Sequence, residues 1–430
     1  MLALPTVLYN FLEMTLGLVD LLMVRPFGPE ATAAIGLIRQ VTFIVEAAVA
    51  SIVVGVVALV SQGIGKRDQK QIDDTVQQSL YAATLLGIAL SVLGFFSAGG
   101  IMWILRMSPA SAAHGEPYTQ VYFLGVVFLC VNAVSAGILR GAKDATTPLK
   151  LAVLMAVVNI PLNYLFIHPM GYGVMGAAMG TTVARLVGTL AFMFVLIRGI
   201  AGVRFVAAVP RLQFDHIRRI LRVGLPITFA GLLRNTARTA YVTIVGLSAL
   251  GVALQAAVAV GLQFRLLAVL PALGFQIAIA TLVGEAIGKG NLAEAEAIGR
   301  RAVAMLMGIM AVVCAAVILA AYPIAHVFID DVETARRGAP GLRWYAVGQF
   351  HSRSAIGVQG ILSGAGDTRP VMRYTLISQW GVLFGLGWVL IAAFNLDPEG
   401  ILLSWTIAPI FMLVWLWQRF RAGHWKSIAV

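Results

Sequence analysis

Long apolar stretches follow one another along almost the whole chain and are separated by short polar loops. About 20 apolar residues span the hydrocarbon core of a bilayer, so each stretch predicts a membrane-crossing helix. The first six stretches lie near residues 3–24, 32–61, 79–105, 118–139, 149–168 and 174–197. The pattern predicts an all-α polytopic membrane protein with about twelve transmembrane helices.

Composition excludes a soluble protein of this length. Of the 430 residues, 60% are hydrophobic and only 12% are charged, and the mean hydropathy is +0.89. The first stretch is not a cleavable signal peptide, because it has neither a basic leader nor a small-residue cleavage site. It also lacks the few polar residues that usually precede a first span, so we expect the natural start to lie further upstream.

The basic residues are scattered rather than clustered. A formal net charge of +12 would suit a nucleic-acid partner, but most Lys and Arg residues lie in alternate loops and in the C-terminal tail. The other connections carry Arg25, Arg106, Arg336 and Arg337. By the positive-inside rule, we expect a multi-pass protein of the inner (plasma) membrane with both termini cytoplasmic and no nucleic-acid partner.

The second half of the chain repeats the first. LVSQGIGKRD at residues 59–68 matches LVGEAIGKGN at 282–291, and ILRGAKD at 138–144 matches ILSGAGD at 361–367. Both pairs share one offset, and Pro5 and Pro226 match at nearly the same offset. Several matches at one spacing indicate a duplication.

The duplication predicts the domain organisation. Each repeat has about six spans, an even number, so the halves form two parallel repeats with a central cavity between them. The predicted parts are an N-terminal lobe at 1–198, a cytoplasmic connector at 199–222, a C-terminal lobe at 223–420 and a cytoplasmic tail at 421–430.

The first apolar stretch carries two acids, Glu13 and Asp20. A carboxylate at the bilayer centre costs about 2.5 kcal/mol or more, so a function is expected for it. The two acids are seven residues apart and therefore share one helix face. Pro5 lies near the start of the same helix, where it can bend the segment.

Several motifs, taken in order, resemble one transporter family. They are the LP start with VDLLMV, FGPEATAAIGL, LVSQGIGKRD, ILRGAKDATTPL, LVGEAIGKGN and ILSGAGDTRP. Together they resemble the multidrug and toxic compound extrusion (MATE) transporters. The resemblance implies a V-shaped secondary antiporter that exports amphipathic, often cationic compounds in exchange for H+ or Na+. It implies no cofactor, small-molecule substrates, a lipid bilayer and a monomer.

The resemblance also implies a coupling-ion site. Asp20 matches the aspartate that takes up the ion, Asn159 and Asn163 match a fifth-helix NxxxD pattern, and Thr181 lies where a hydroxyl ligand is expected. Pro5 matches the proline at which the first helix bends. Asn163 departs from the pattern, because archaeal and some bacterial members of the family have a second aspartate there, and this puts a two-acid proton mechanism in doubt.

The residue types at this site are compatible with either Na+ or H+ as the coupling ion. Asn159 and Asn163 are four residues apart and share a face. Amide and hydroxyl oxygens with one carboxylate suit Na+, whereas a buried carboxylate can instead hold a proton near neutral pH. The alternative interpretation is that Asn159, Asn163 and Thr181 only join helices. The assignment of Thr181 to the ion site is the weakest of the three, because Thr182 is adjacent and a threonine readily bonds its own backbone.

Further charged residues are predicted to line the substrate cavity. Glu13 and Arg234 are repeat partners, and we expect them to approach each other as a gate; alternatively, each pairs within its own half. Arg238 shares a face with Arg234, and Glu46 is the remaining buried acid. The seventh helix has no acid, so either the second lobe binds no coupling ion, which we favour, or the substrate is anionic. Four residues in or near spans have no assigned role: Arg185, Arg265, His351 and Arg353.

Three other functions differ in the support that the sequence gives them. A flippase for a lipid-linked oligosaccharide or a lipid II-type precursor would suit the arginines, because its cargo carries a pyrophosphate. An intramembrane enzyme is not expected, because no HExxH, GxSxG or paired catalytic acids stand out. A receptor that keeps a transporter fold without turnover would show the same sequence pattern.

Overall fold

The computed structural model describes residues 2–206, 212–246, 251–328, 332–394, 396 and 399–428. Side chains are described for all of these except 242–246, 251–267, 328, 334, 337 and 399. The described chain is helical almost throughout. The β structure among the described residues is limited to an isolated bridge between Ile200 and Val203. It divides into two compact units, Met1–Gly224 and Leu225–Val430.

Each unit is a bundle of consecutive helices. The first unit contains α1 Ala3–Val24, α2 Pro29–Lys66, α3 Gln69–Phe96, α4 Ala98–Ile104, α5 Pro109–Leu124, α6 Val126–Gly141, α7 Thr146–Ile167 and α8 Gly173–Arg198. The next helices are α9 Phe214–Gly246, α10 Gly251–Gly288, α11 Leu292–Leu319, α12 Ala321–Phe328, α13 Val332–Ala365, α14 Arg369–Leu376, α15 Gly387–Ala392 and α16 Glu399–Arg421. A π-helix at Ile377–Leu386 joins α14 to α15, so these three segments form one continuous rod.

Nine helices of the described chain are long and apolar enough to cross a membrane, or ten if α5 and α6, bent by 47° at Gly125, are counted as one span. The sequence predicts about twelve transmembrane helices, and this number is reached only if α9 and α13 also cross the membrane. These helices have 33 and 34 residues, which exceeds the length that a bilayer requires, but their arginines lower the mean hydropathy. Helix α9 begins at Phe214, so the end of the predicted connector is helical.

The predicted duplication has a structural counterpart in the loops. Arg67 and Gly290 both adopt a left-handed backbone, with φ of 58° and 74°. The next residue then caps the following helix: the Asp68 side chain accepts from Gln71 N at 3.0 Å, and the Asn291 side chain accepts from Glu294 N at 3.1 Å. The same backbone geometry therefore recurs where the two sequence repeats align.

The two loops of the second repeated pair have the same backbone geometry but different side-chain contacts. Lys143 and Gly366 have φ of 65° and 82°. The backbone amides of the following residues, Asp144 and Asp367, donate to carbonyls five residues earlier at 2.9 and 2.8 Å. The Asp144 side chain caps α7, whereas the Asp367 side chain pairs with Arg419 Nε at 2.8 Å.

Asp144 illustrates how a cap tunes a carboxyl group. Burial opposes its charge, but hydrogen bonds from Thr147 and Thr146 outweigh this and lower the pKa of Asp144 below its usual range. Because the pKa of Asp144 is lowered in the folded state, the cap's full contribution to the free energy of unfolding is present above the unfolded pKa of about 4. This stabilisation is lost as the pH falls through the lowered pKa of the folded state.

The C-terminal tail is anchored to the second unit. Trp425 is buried, and its Nε1 donates to Phe420 O at 2.9 Å. Lys426 Nζ lies 2.7 Å from Glu296 Oε2. The residues after α16 therefore form a 3₁₀ turn that packs against their own unit.

The different contacts of the two loop aspartates predict different costs of substitution. Asp144→Ala removes a helix cap, which costs about 1 kcal/mol. Asp367→Ala leaves Arg419 without its partner, which costs about 3 kcal/mol. Thermal unfolding in detergent at pH 7 should therefore give a lower midpoint for Asp367→Ala, and removal of Arg419 in the same chain should recover part of the loss. Equal midpoints for the two single variants would contradict this assignment.

Candidate functional site

The Asp20 carboxylate on α1 is held by two neighbouring helices. Asn163 Nδ2 on α7 donates to Asp20 Oδ1 at 2.6 Å, and Thr181 Oγ1 on α8 donates to Asp20 Oδ2 at 3.3 Å. Asn159 Nδ2 donates to Thr181 Oγ1 at 3.1 Å and faces Asn163 Oδ1 at 3.4 Å. The structure thus brings together the four residues that were predicted to bind a coupling ion.

Both oxygens of Asp20 accept a hydrogen bond, which is the pattern expected of an ionised carboxylate. The site also contains the amide and hydroxyl oxygens that a hard cation prefers. In this arrangement, however, the Asn163 nitrogen faces Asp20. A sodium ion beside Asp20 would require this amide to turn so that its oxygen faces the ion, whereas a proton requires only the carboxylate.

Glycines on α8 allow α7 to come close enough for these contacts. A methyl group at Gly180 would overlap Asn163 Oδ1 and lie 2.8 Å from Asn163 N, and one at Gly176 would lie 2.7 Å from the carbonyl carbon of Phe166. One at Gly188 would overlap the Met155 sulfur. Gly176, Gly180 and Gly188 recur at multiples of four residues and form one ridge of α8.

The geometry separates the two neighbouring threonines. Thr181 points to Asp20, whereas Thr182 Oγ1 donates to Val121 O at 3.2 Å and packs against Gly125 at the bend between α5 and α6. Thr182 therefore holds the bent span, and Thr181 belongs to the site.

Asp20 opens onto a cavity of about 200 Å³ that lies within the first unit. Its ionisable lining residues are Glu13, Asp20, Arg39, Glu46 and Arg185. The other polar lining residues are aromatic, amide and hydroxyl side chains, namely Tyr9, Thr42, Tyr118, Tyr122, Asn132, Asn159 and Thr181. The predicted cavity residues Glu13 and Glu46 are therefore lining residues of one pocket.

Two arginines approach the acids of this cavity. The guanidinium of Arg39 packs against α1 at Gly17, where an added methyl group would lie 3.2 Å from Arg39 Nη2. The charge of Arg185 acts on Glu13, Glu46 and Asp20. The three carboxylates therefore share the pocket with two positive charges.

Sequence reasoning missed Asn132 on α6. Its Nδ2 donates to Arg185 O at 2.9 Å, and its Oδ1 accepts from Thr189 Oγ1 at 2.8 Å, so it ties α6 to α8. An amide inside an apolar stretch was the available signal. Arg185 was noted without a role, because its position on the cavity wall depends on how α8 packs.

Pro5 lies in the first turn of α1, where its missing N–H removes no backbone hydrogen bond. Helix α1 is continuous from Ala3 to Val24. The role of Pro5 as a hinge stays a prediction.

The remaining predicted residues lie in the second unit. Arg238 lines a separate cavity of about 60 Å³ with Tyr241, Gln349 and Gln379. Arg353 is buried and donates to Gln349 Oε1 at 2.6 Å through Nη2. Arg234 is half-buried on α9.

His351 and Arg265 of this unit were noted in the sequence without a role. His351 Nδ1 lies 2.8 Å from Val347 O, one turn earlier on α13. The side chain of Arg265 lies outside the described residues. The predicted gate joins Glu13 of the first unit to Arg234 of the second, and it stays a prediction.

Comparison with known proteins identifies the family. The MatE family model matches residues 5–165 and again residues 226–389. The chain belongs to this family, the MATE transporters, so it is a membrane transporter and not an enzyme, as predicted. The two matched stretches begin at Pro5 and Pro226, the pair that the sequence repeat aligned.

Individual relatives agree with this assignment. A probable multidrug resistance protein NorM of Thermotoga maritima is 26% identical over 100% of this chain and 93% of its own length. A multidrug resistance protein MdtK of Edwardsiella ictaluri is 23% identical over 99% and 96%. A crystal structure of MATE in the bent conformation matches with a TM-score of 0.90 at 24% identity, covering 99% of this chain and 95% of that one. The predicted helical fold class is therefore confirmed.

The glycine ridge of α8 gives a test of the site's construction. Gly180→Ala places a methyl group against the side chain and backbone of Asn163, so we expect the Asn163–Asp20 hydrogen bond to be lost and stability to fall by about 1–3 kcal/mol. Gly308→Ala on α11 is the matched control, because an added methyl group meets nothing within 4 Å there. Thermal unfolding in detergent measures both; a Gly180→Ala chain as stable as Gly308→Ala would contradict the close approach.

Proposed function

We propose that the chain is a secondary active antiporter that exports amphipathic, cationic compounds in exchange for H+ or Na+ taken up at Asp20. The observation that carries the proposal is the position of Asp20 on the wall of a polar cavity, with both carboxylate oxygens engaged by α7 and α8. The names of the relatives as multidrug resistance proteins support drugs and toxic compounds as the cargo.

Ion uptake would change the contacts of Asp20. A proton on Asp20 Oδ1 turns that oxygen into a donor and removes the negative charge, so it becomes a weaker acceptor for Asn163 Nδ2. A sodium ion would take the same lone pairs. Either ion would weaken the link between α1 and α7, which would favour a bend of α1 at Pro5 and a narrower cavity.

Ion and substrate would compete through this cavity. A cationic substrate is attracted by the carboxylates of Glu13, Asp20 and Glu46, and uptake of an ion at Asp20 removes one negative charge from that set. By linkage, bound substrate must weaken ion binding by the same factor. An inward ion gradient would thereby drive the outward release of the compound.

The proposal includes an orientation and an assembly state. The distribution of arginine and lysine supports an inner-membrane location with both termini cytoplasmic. We propose that the chain functions as a monomer and needs no cofactor beyond the coupling cation. A lipid-precursor flippase of the same superfamily stays the alternative function, with the arginines as its support.

Neutralisation of Asp20 tests the coupling role. Asp20→Asn keeps the shape of the side chain but can neither bind a proton nor balance a sodium ion, so we expect ion-driven dye export from proteoliposomes to fall to the rate of empty vesicles. Na+ and pH gradients are imposed separately to distinguish the ions. Asp144→Asn makes the same chemical change outside the cavity and should retain export.

Each outcome of this assay is informative. Export by Asp20→Asn at the wild-type rate would refute the role of Asp20. Absence of dye flux from the wild-type protein under both gradients would favour the flippase.

The proposed gate is tested by a double-mutant cycle. Glu13→Gln and Arg234→Gln should each slow export, and the double variant should lose less than the sum of the two effects, with a coupling of about 0.5 kcal/mol or more. The cycle compares export rates in proteoliposomes for the wild-type protein, the two single variants and the double variant. Strictly additive losses would show that the two residues act independently.

A further inference from the structure

Two glutamine side chains line the cavity of about 60 Å³ in the second unit. Gln349 lies on α13 and is 6% exposed, and Gln379 lies in the π-helix and is 4% exposed. A buried amide normally uses both its oxygen and its nitrogen in hydrogen bonds. The partners of these two amides therefore show which of their groups remain for a ligand.

Neighbouring groups fix the orientation of the Gln379 amide. Its Nε2 donates to Ser378 Oγ at 3.3 Å, and the hydroxyl of Ser378 donates to Ala408 O at 2.6 Å. Because the Ser378 hydroxyl has given its hydrogen to Ala408, it can only accept from Gln379, so the amide nitrogen faces it. Gln379 Oε1 is buried and has no hydrogen-bond partner among the described residues.

The opposite group is left over on Gln349. Its Oε1 accepts from Arg353 Nε at 3.1 Å and from Arg353 Nη2 at 2.6 Å. An arginine side chain has only donors, so this contact holds the amide oxygen toward Arg353 and leaves Nε2 on the other side of the amide. Within the described part of the second unit, Nε2 makes no hydrogen bond. The cavity wall therefore contains one unused acceptor and one unused donor.

The backbone that carries Gln379 is itself unusual. A π-helix of ten residues, Ile377–Leu386, brings Gln379 and Leu383 to the cavity wall. Turns of this kind are rare and occur frequently at functional sites. The backbone of this segment therefore supports a ligand at Gln379 independently of its hydrogen bonds.

We propose that this cavity is a binding site for a primary carboxamide, the planar group that carries a carbonyl oxygen beside an N–H donor. The carbonyl oxygen accepts from Gln349 Nε2, and the amino group donates to Gln379 Oε1. The ligands of the site are compounds that end in such a group. The site goes beyond the proposed ion exchange at Asp20 and does not depend on it.

The remaining polar groups separate a carboxamide from its closest analogues. Arg238 is the one charged residue among the described lining residues, and its N–H groups suit a carbonyl oxygen. It repels a metal cation, although Gln379 Oε1 alone would accept one. A carboxylate would suit Arg238, but its second oxygen would face Gln379 Oε1, and neither oxygen has a hydrogen to give. A ketone leaves Gln379 Oε1 buried without a donor.

The size of the cavity restricts the bound part of the ligand to a small terminal group. A cavity of about 150 Å³ holds benzene, so one of about 60 Å³ holds about three heavy atoms, which is the size of a carboxamide. The rings of Tyr345 and Trp405 meet edge to face with centroids 5.4 Å apart, and the Tyr241 ring lies 5.9 Å from Trp405. These rings form an apolar wall around the polar groups.

Three probes of nearly one shape test the hydrogen-bonding pattern. Acetamide carries the acceptor and the donor, acetone has a methyl group in place of the amino group, and acetate has a charged oxygen there. Saturation-transfer NMR titrations of the purified protein in detergent, with protein-free micelles as the blank, measure their dissociation constants without an ion gradient. Wild-type protein should bind acetamide about threefold to tenfold more tightly than acetone, and more tightly than acetate.

Substitutions of Gln379 assign the acceptor. Gln379→Met keeps the length of the side chain but removes the oxygen, so acetamide should bind no more than about twofold more tightly than acetone. Gln379→Glu keeps an oxygen acceptor and should keep a preference of about threefold or more. Gln418→Met makes the same change at an exposed position of α16 outside the cavity and should leave the wild-type preference unaltered.

A substitution of Gln349 tests the donor separately. Gln349→Glu keeps the oxygen that Arg353 binds and puts a second oxygen in place of Nε2. Acetamide should then bind about threefold or more weakly than to the wild-type protein. This variant supplies an independent test if Gln379→Met does not fold.

The results decide the proposal. A wild-type protein that binds acetone or acetate as tightly as acetamide, or binds none of the three, overturns it. A preference for acetamide that survives in Gln379→Met also overturns it, because acetamide then binds elsewhere, and so does an unchanged affinity in Gln349→Glu. Loss of ion-driven export would overturn the antiport function and leave these equilibrium affinities interpretable.

Discussion

The close approach of α8 to α7 is the packing constraint on which the candidate site depends. Without a side chain at Gly176 and Gly180, the two helices come into backbone contact, so that Asn163 lies against Gly180 and the amide of Asn159 reaches Thr181. In a lipid environment, small residues and interhelical hydrogen bonds hold helices together, because burial of apolar surface contributes little. The same contacts that join α7 to α8 therefore also place two donors beside Asp20.

The cavity of the first unit combines charges that an apolar bundle would normally exclude. Its carboxylates and arginines are costly to bury, and such groups persist in membrane proteins where they face each other or a water-filled space. Asn132 contributes by holding α6 against α8 behind Arg185. The pocket is therefore a polar interior built by helices whose outer surfaces are apolar.

The second unit uses the same backbone plan for different side-chain contacts. The loop before α11 repeats the left-handed residue and the cap of the loop before α3, yet Asp367 pairs with Arg419 where Asp144 caps α7. Its small cavity carries arginine and amide groups in place of acids. Duplication thus preserved the geometry of turns and helix ends, while the polar groups of the two units diverged.

The sequence by itself determined the helical class and the repeat. These features follow from local rules, since apolar length and repeated motifs are readable along the chain. The grouping of Asp20 with Asn159, Asn163 and Thr181 came from the resemblance to the MATE transporters, because spacing alone relates only Asn159 to Asn163. Only the tertiary structure decided that Thr181 rather than Thr182 faces Asp20, and that Arg185 lies over the ring of Tyr122 on the cavity wall. Those outcomes depend on the rotation and the distance between packed helices, which are set by contacts between residues far apart in the chain.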